Sequence, residues 1–333
     1  MAARQIRSEE RLMRILVTGA TGFVGTRLIP ELTQRGHHVR ALSRKKHASE
    51  PNVEWLRGDI SKSSELRAAL DDIDVVYLLV HEMSGGAGYA KKEADEAQLL
   101  SHLAKAAGVK RIIYLGGVEP SGPPSEHLAS RLRVGELLRS GPVPTLELRA
   151  SMIIGAGSAS WQLVRDLSLR LPAMVLPKWT ESKTRPVAID DVVTALTGAL
   201  ELQLPQSEWF DIPGPDTLTG ADIFRRVAAL DGRHVPMLGV PFLTPSLSSL
   251  WLKLVTRGDF GLSRELVEGF TSDLLPKDER YWSLIGAPPR QHFEEAVRQA
   301  FREERGATFI TALEETAVGL LGKLLAHRRR VTS

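Results

Sequence analysis

The chain has 333 residues, 43% of them hydrophobic and 25% charged, enough for a large core and one or two domains. It contains no cysteine, which excludes disulfides, thiolate catalysis and cysteine zinc sites. A net charge of +3 is too small to argue for nucleic acid, and the basic tail His327–Arg330 reads as a solvated helix end.

No uninterrupted apolar stretch reaches the roughly 18 residues that span a bilayer. The first eleven residues carry charges at Arg4, Arg7, Glu9, Glu10 and Arg11 and no apolar core, so they do not read as a secretory signal. A cytoplasmic protein is expected, with residues 1–12 as a flexible start.

Residues 15–25 read Ile-Leu-Val-Thr-Gly-Ala-Thr-Gly-Phe-Val-Gly. A β-branched run ends in glycines at 19, 22 and 25. An amphipathic stretch follows, with Phe23, Val24, Leu28, Ile29 and Leu32 at helical spacing. Strand, tight turn and helix N-terminus form the arrangement that binds a dinucleotide pyrophosphate. Gly19 is expected to permit the turn, Gly22 to admit the phosphates, and Gly25 to let the helix pack on the strand. Thr18, Thr21, Phe23 and Val24 complete the expected cofactor turn.

Further along, His38–Ser43 and Val53–Arg57 read as strands, 64–70 as a short helix and 75–80 as a central strand buried on both faces. A helix is expected over 92–107, stopped by Gly108, then a strand over 111–115, a helix over 125–139 and a strand over 145–148. This alternation predicts a Rossmann-type α/β fold, a doubly wound parallel sheet, over residues 13–155. Beyond Arg149 the alternation loosens and prolines recur at 172, 177, 186, 205, 213 and 215. Residues 156–240 are expected to form a smaller, interleaved substrate-side subdomain, with a strand near 208–212 and a helix over 219–230 capped by Thr219. Residues 241–333 read as a helical C-terminal region.

The spacing Thr-Gly-x-x-Gly-x-x-Gly resembles that of the extended and atypical short-chain dehydrogenase/reductases, and more narrowly their NmrA-like NAD(P)H-binding branch. The resemblance covers about residues 14–230. Pro186-Val187-Ala188-Ile189-Asp190-Asp191-Val192 is similar to a segment of extended members in which a strand returns and a helix begins.

The second strand ends Leu42-Ser43-Arg44-Lys45-Lys46, without the acid that NAD binders use on the ribose. Arg44, flanked by Ser43 and Lys45, can pair with a 2′-phosphate, so NADP(H) is expected in preference to NAD(H). The alternative is a solvated basic loop. Gly58-Asp59-Ile60 follows the third strand, where the resemblance implies an adenine contact from Asp59; a helix-capping aspartate is the plainer reading.

The resemblance also implies a serine after the fifth strand and a Tyr-x-x-x-Lys pair on the next helix. Here the strand ends in Gly116 and Gly117, and the helix carries His127 and Arg131 at the same i, i+4 spacing. Loss of the usual acid/base pair argues against a standard alcohol dehydrogenase or a sugar-nucleotide epimerase. His127 is a candidate proton donor, with Arg131 on the cofactor ribose or phosphate; the alternative is that His127 caps or packs and the site uses water or no acid. His81 is a second candidate, since Leu79, Val80 and His81 leave the fourth strand at the ligand-binding edge. Ala150, Ser151 and Met152 are expected along the nicotinamide, while Arg149 is either an anion holder or a structural ion pair. Residues 241–257 form an apolar stretch with Lys253 as its internal charge, read as a packed helix or as a lid or weak membrane contact.

These features point to a reductase passing hydride to an apolar carbonyl- or quinone-like small molecule. A non-catalytic NADP-binding protein, like the regulatory NmrA-like proteins or a complex I accessory subunit, remains the rival.

Overall fold

A computed structural model describes residues 12–48, 50–80, 88–171, 173–240 and 271–306. The candidate His81 and the apolar stretch 241–257 lie outside them.

The apolar runs form a seven-stranded sheet. Its strands are β1 (Arg14–Thr18), β2 (His38–Ser43), β3 (Val53–Arg57), β4 (Val75–Leu78), β5 (Arg111–Gly117), β6 (Thr145–Ala150) and β11 (Glu208–Asp211). Their order is β11-β6-β5-β4-β1-β2-β3, and every pairing is parallel. All strands therefore deliver their C-terminal ends to one edge, where ligands bind in open α/β sheets. The side on which successive strands are added reverses between β1 and β4, which places the glycine turn at the topological switch point.

Side chains alternate across the pleat, so each strand feeds two cores. On one face Ile15, Val17, Val39, Ala41, Tyr77 and Leu148 pack with α1 (Gly25–Gln34) and α6 (Ile189–Gly198). On the other, Leu16, Leu42, Val76, Leu78 and Ile112 pack with α2 (Ser63–Ala69), α3 (Tyr89–Ala106) and α4 (Glu126–Arg139). Burial on both faces is why these strands read as continuous apolar runs.

Between β6 and β11 the chain adds β7 (Ile153–Ile154), α5 (Ala159–Arg170), β8 (Met174–Pro177), β9 (Lys183–Thr184) and β10 (Val187–Ala188). After β11 come β12 (Leu218–Thr219), α7 (Gly220–Leu230) and β13 (Met237–Val240). Thr219 and Asp222 form a reciprocal capping box that starts α7, as the cap residue predicts. Trp161, Leu163, Leu167, Ile223, Phe224 and Val227 join α5 and α7 into a second core.

Residues 271–306 are shared between the two cores. Tyr281 and Trp282, on the short helix α8 (Tyr281–Leu284), enter the first core, and the Tyr281 hydroxyl donates to the Ala195 carbonyl at 2.6 Å. The helix over 293–306, here α9, contributes Phe293, Val297 and Phe301 to the second. Their ring-bearing residues close the space that the looser middle of the sequence leaves open.

Candidate functional site: the carboxyl edge of the sheet

The glycine turn follows from close approach. Gly19 has φ +71°, and a Cβ there would lie 2.9 Å from the Leu79 carbonyl carbon. Gly25 is buried, and a Cβ on it would lie 2.4 Å from the Gly19 carbonyl oxygen and 2.8 Å from that of Ala20. Gly22 differs: it is exposed, and its Cβ would meet only the Gly19 oxygen, at 3.1 Å. Gly19 and Gly25 are thus required by the fold, whereas the space above Gly22 is open.

The Gly22 amide closes the turn onto Gly19 at 2.9 Å. Val24 caps α1 without a side-chain hydrogen bond, and among the described residues the Phe23 and Val24 amides meet no acceptor. An uncapped helix N-terminus beside an open glycine fits a dinucleotide pyrophosphate, which takes such amides and the positive end of the helix dipole. Thr21 is exposed at the same place. Thr18 is a correction: its side chain is fully buried and its hydroxyl donates to the Tyr77 carbonyl at 3.1 Å, tying β1 to β4.

At the end of β2, Ser43 is buried, while Arg44 and Lys45 are exposed. The Ser43 Oγ accepts from the Lys45 amide at 3.2 Å and lies 3.0 Å from Nε2 of His47. The His47 ring stacks on Trp55 with centroids 4.2 Å apart. Gly58 donates to the Ser43 carbonyl at 2.9 Å, so β3 exits beside β2. Asp59 accepts from the Ser61 amide and hydroxyl at 2.9 and 2.8 Å, and the amide bond in particular holds its carboxyl below the usual range. Asp59 therefore shapes the turn into α2 through Oδ1. Ile60 is buried among Leu42, Leu66 and Leu78 and offers only backbone.

At the far end, the Leu79 and Val80 backbones run against the Gly19 turn, and Val80 is exposed beside it. Gly116 and Gly117 prove to be packing glycines. A Cβ on Gly116 would meet Glu147 Oε1 at 2.7 Å, and one on Gly117 would meet Leu128 at 2.6 Å. They let α4 settle on β5 and β6.

That packing fixes His127 and Arg131. Ser125 caps α4 by accepting from the Leu128 amide at 3.3 Å, and Arg131 Nη2 donates to the Leu115 carbonyl at 2.5 Å. The Tyr114 hydroxyl donates to the Arg131 carbonyl at 3.1 Å. His127 is mostly buried. Burial, and then the Arg131 charge, push its imidazole down to about 4. Titration near neutrality, expected of a free histidine, is thereby lost.

Ser151 donates to the Arg185 carbonyl at 2.9 Å, and the Met152 carbonyl accepts from Val187 at 2.9 Å. Ala150 and Met152 are buried. This segment is pinned to β10, and its side chains are spent on the protein. Arg149 is resolved as a structural ion pair: its Nε donates to Glu147 at 2.9 Å, and Arg139 donates to the same carboxylate at 2.8 Å. The Arg149 guanidinium also lies over the Trp209 ring at 4.2 Å. A Cβ on Gly135 would meet that carboxylate at 2.4 Å, so Glu147 fills the space two glycines leave. The readable signal was Glu147 and Arg149, two residues apart on one face of an otherwise apolar strand.

A parallel sheet whose first turn opens onto an uncapped helix defines a dinucleotide-binding Rossmann protein. Residues 19–139 match the family model described as NAD(P)H-binding. A 3 beta-hydroxysteroid dehydrogenase/Delta 5→4-isomerase of Mycobacterium tuberculosis is 35% identical over 115 residues. The match covers 31% of this chain and 31% of that protein, so the chain spans about a third of such a curated relative. A UDP-glucose 4-epimerase of Vibrio cholerae is 23% identical over 86% of this chain and 93% of its own length. A solved short-chain dehydrogenase/reductase superfamily protein from Agrobacterium tumefaciens, with bound NAD, superposes with a TM-score of 0.63 at 17% identity. The superposition covers 90% of this chain and 99% of that one. The chain thus carries an NAD(P)H-binding domain over residues 19–139 and shares the overall fold of these solved short-chain dehydrogenase/reductase proteins.

Among the described residues no helix is long and apolar enough to cross a membrane.

Proposed function

We propose that the protein is an NAD(P)H-dependent reductase that passes hydride to an apolar carbonyl- or quinone-like small molecule. The observation that carries this reading is the open, uncapped N-terminus of α1 above Gly22, at the edge where β4 and β5 end. The match to a steroid dehydrogenase supports an apolar acceptor. NADP(H) is the favoured cofactor and NAD(H) the second choice, because Arg44 and Lys45 stand exposed where NAD binders carry an acid.

When bound, the nicotinamide supplies the hydride. The amides of Phe23 and Val24 would hold the pyrophosphate, Asp59 would offer its remaining oxygen to the adenine, and Val80 would give the ring end an apolar wall. His127 would meet the acceptor oxygen as a neutral imidazole, donating a hydrogen bond rather than a full proton. With the imidazole held neutral by burial, the proton that completes an alcohol would come from water. Arg131 acts through His127 and through the end of β5, not on the cofactor.

The depressed His127 and the committed Arg131 favour a second reading equally directly, a non-catalytic NADP-binding protein. Oxidation of NADPH followed at 340 nm with quinones, aromatic ketones and keto-steroids separates the two. Turnover with any of them supports the reductase. NADPH binding without turnover across the panel supports the regulatory or accessory role.

A further inference from the structure

The connection from β2 to β3 is short for two parallel strands, residues 44–52, with no helix among the described residues of that span. Parallel neighbours ordinarily need a crossover of a dozen residues or more. The loop leaves the carboxyl edge beside Ser43 and reaches the start of β3 within those residues.

On the way it is fastened with more care than a plain connector requires. Ser43 Oγ takes the Lys45 amide on one lone pair and lies 3.0 Å from His47 Nε2. With its hydroxyl proton assigned to that nitrogen, the imidazole keeps its own N–H on Nδ1. The ring lies on the Trp55 indole at 4.2 Å with an interplanar angle of 27°. Trp55 is itself locked, donating its Nε1–H to Glu50 at 2.9 Å. Arg44, Lys45 and Lys46 lie exposed between Ser43 and His47, with no acid among them.

We propose that His47, clamped between Ser43 and Trp55, is a specificity-determining residue for the adenosine 2′-phosphate. The inference rests on the NADP(H) reading above and deepens it. The end of the second strand is where the ribose 2′ position falls in a Rossmann site. Arg44 and Lys45 supply charge there on flexible, exposed stems. His47 supplies a directional donor whose position is set by the strand and by the stack. A rigid donor beside mobile cations costs little ordering when the phosphate binds, so it discriminates by geometry where the cations act by charge.

The test is calorimetric titration of the whole protein with adenosine 2′,5′-bisphosphate and with 5′-AMP, in the parent, His47→Leu and His47→Gln. The parent is expected to prefer the bisphosphate by about tenfold or more. His47→Leu should cut that preference about tenfold and leave 5′-AMP affinity unchanged. His47→Gln, which retains an N–H donor, should recover part of it. An unchanged preference in His47→Leu overturns the inference while leaving the NADP(H) reading in place. Equal losses for both ligands also overturn it, since they make His47 a structural plug. A parent without preference for the bisphosphate overturns the NADP(H) reading and this inference together.

Discussion

Arg131 donates from Nη2 to the carbonyl of Leu115 at 2.5 Å, the residue before the two glycines that end β5. The cation four residues after His127 is thus turned onto the strand end. Replacing Arg131 with Met should destabilise the fold by about 1.5–3 kcal/mol, the worth of a charged hydrogen bond. It should change NADPH affinity less than threefold. Chemical denaturation and calorimetry read the two effects, and a tenfold loss of affinity would return Arg131 to the cofactor.

The glycines separate by role. Gly25→Ala should cost about 3 kcal/mol or more, because its Cβ meets two backbone carbonyl oxygens that cannot yield. Gly22→Ala should leave thermal stability within a few degrees of the parent, because its Cβ has a single contact at 3.1 Å. Melting curves of the two variants decide the matter.

Arg44→Asp should move the preference from NADPH toward NADH by tenfold or more, since a carboxylate repels the 2′-phosphate and accepts from the ribose hydroxyls. The ratio of the two dissociation constants is the readout. A constant ratio would reduce the 44–46 cluster to a solvated loop.

His127 makes a prediction about acid. Its pKa falls from an unfolded value near 6.5 to about 4 in the fold, so the unfolded chain binds the extra proton between those values. Stability from this group is present above pH 6.5 and is lost as pH falls toward 4, by at most about 3 kcal/mol. Asp191 acts in the opposite sense, since burial raises its carboxyl from 3.8 to about 6 and its contribution declines as pH rises through that window. His127→Gln should therefore flatten the acid-side loss, and Asp191→Asn should steepen the rise in stability toward neutrality. Denaturant midpoints at pH 4.5, 5.5 and 7 follow both.

The strands were legible because each lies between two cores and carries apolar side chains on both faces. The glycine turn was legible because its three glycines sit within seven residues, directly behind an apolar strand. Gly116 and Gly117 were misleading for a physical reason. Their clashes are with Glu147 and Leu128, residues distant in sequence, so nothing local marks them as packing positions rather than ligand-facing ones. The return of Tyr281 and Trp282 to the first core, and of Phe293 and Phe301 to the second, is likewise a long-range event without a local pattern. His127 and Arg131 were found by spacing alone, but spacing carries no information about burial, and burial sets the imidazole's charge.

The central claim is that the turn at Gly22 holds the pyrophosphate of NADP(H). Calorimetric titration of NADPH into the parent and into Gly22→Val tests it most directly, with a melting curve confirming that the variant is folded. The account predicts one site in the parent and no measurable binding in the folded variant, because the branched side chain occupies the space above the Phe23 and Val24 amides. Binding by Gly22→Val within a few-fold of the parent would contradict it.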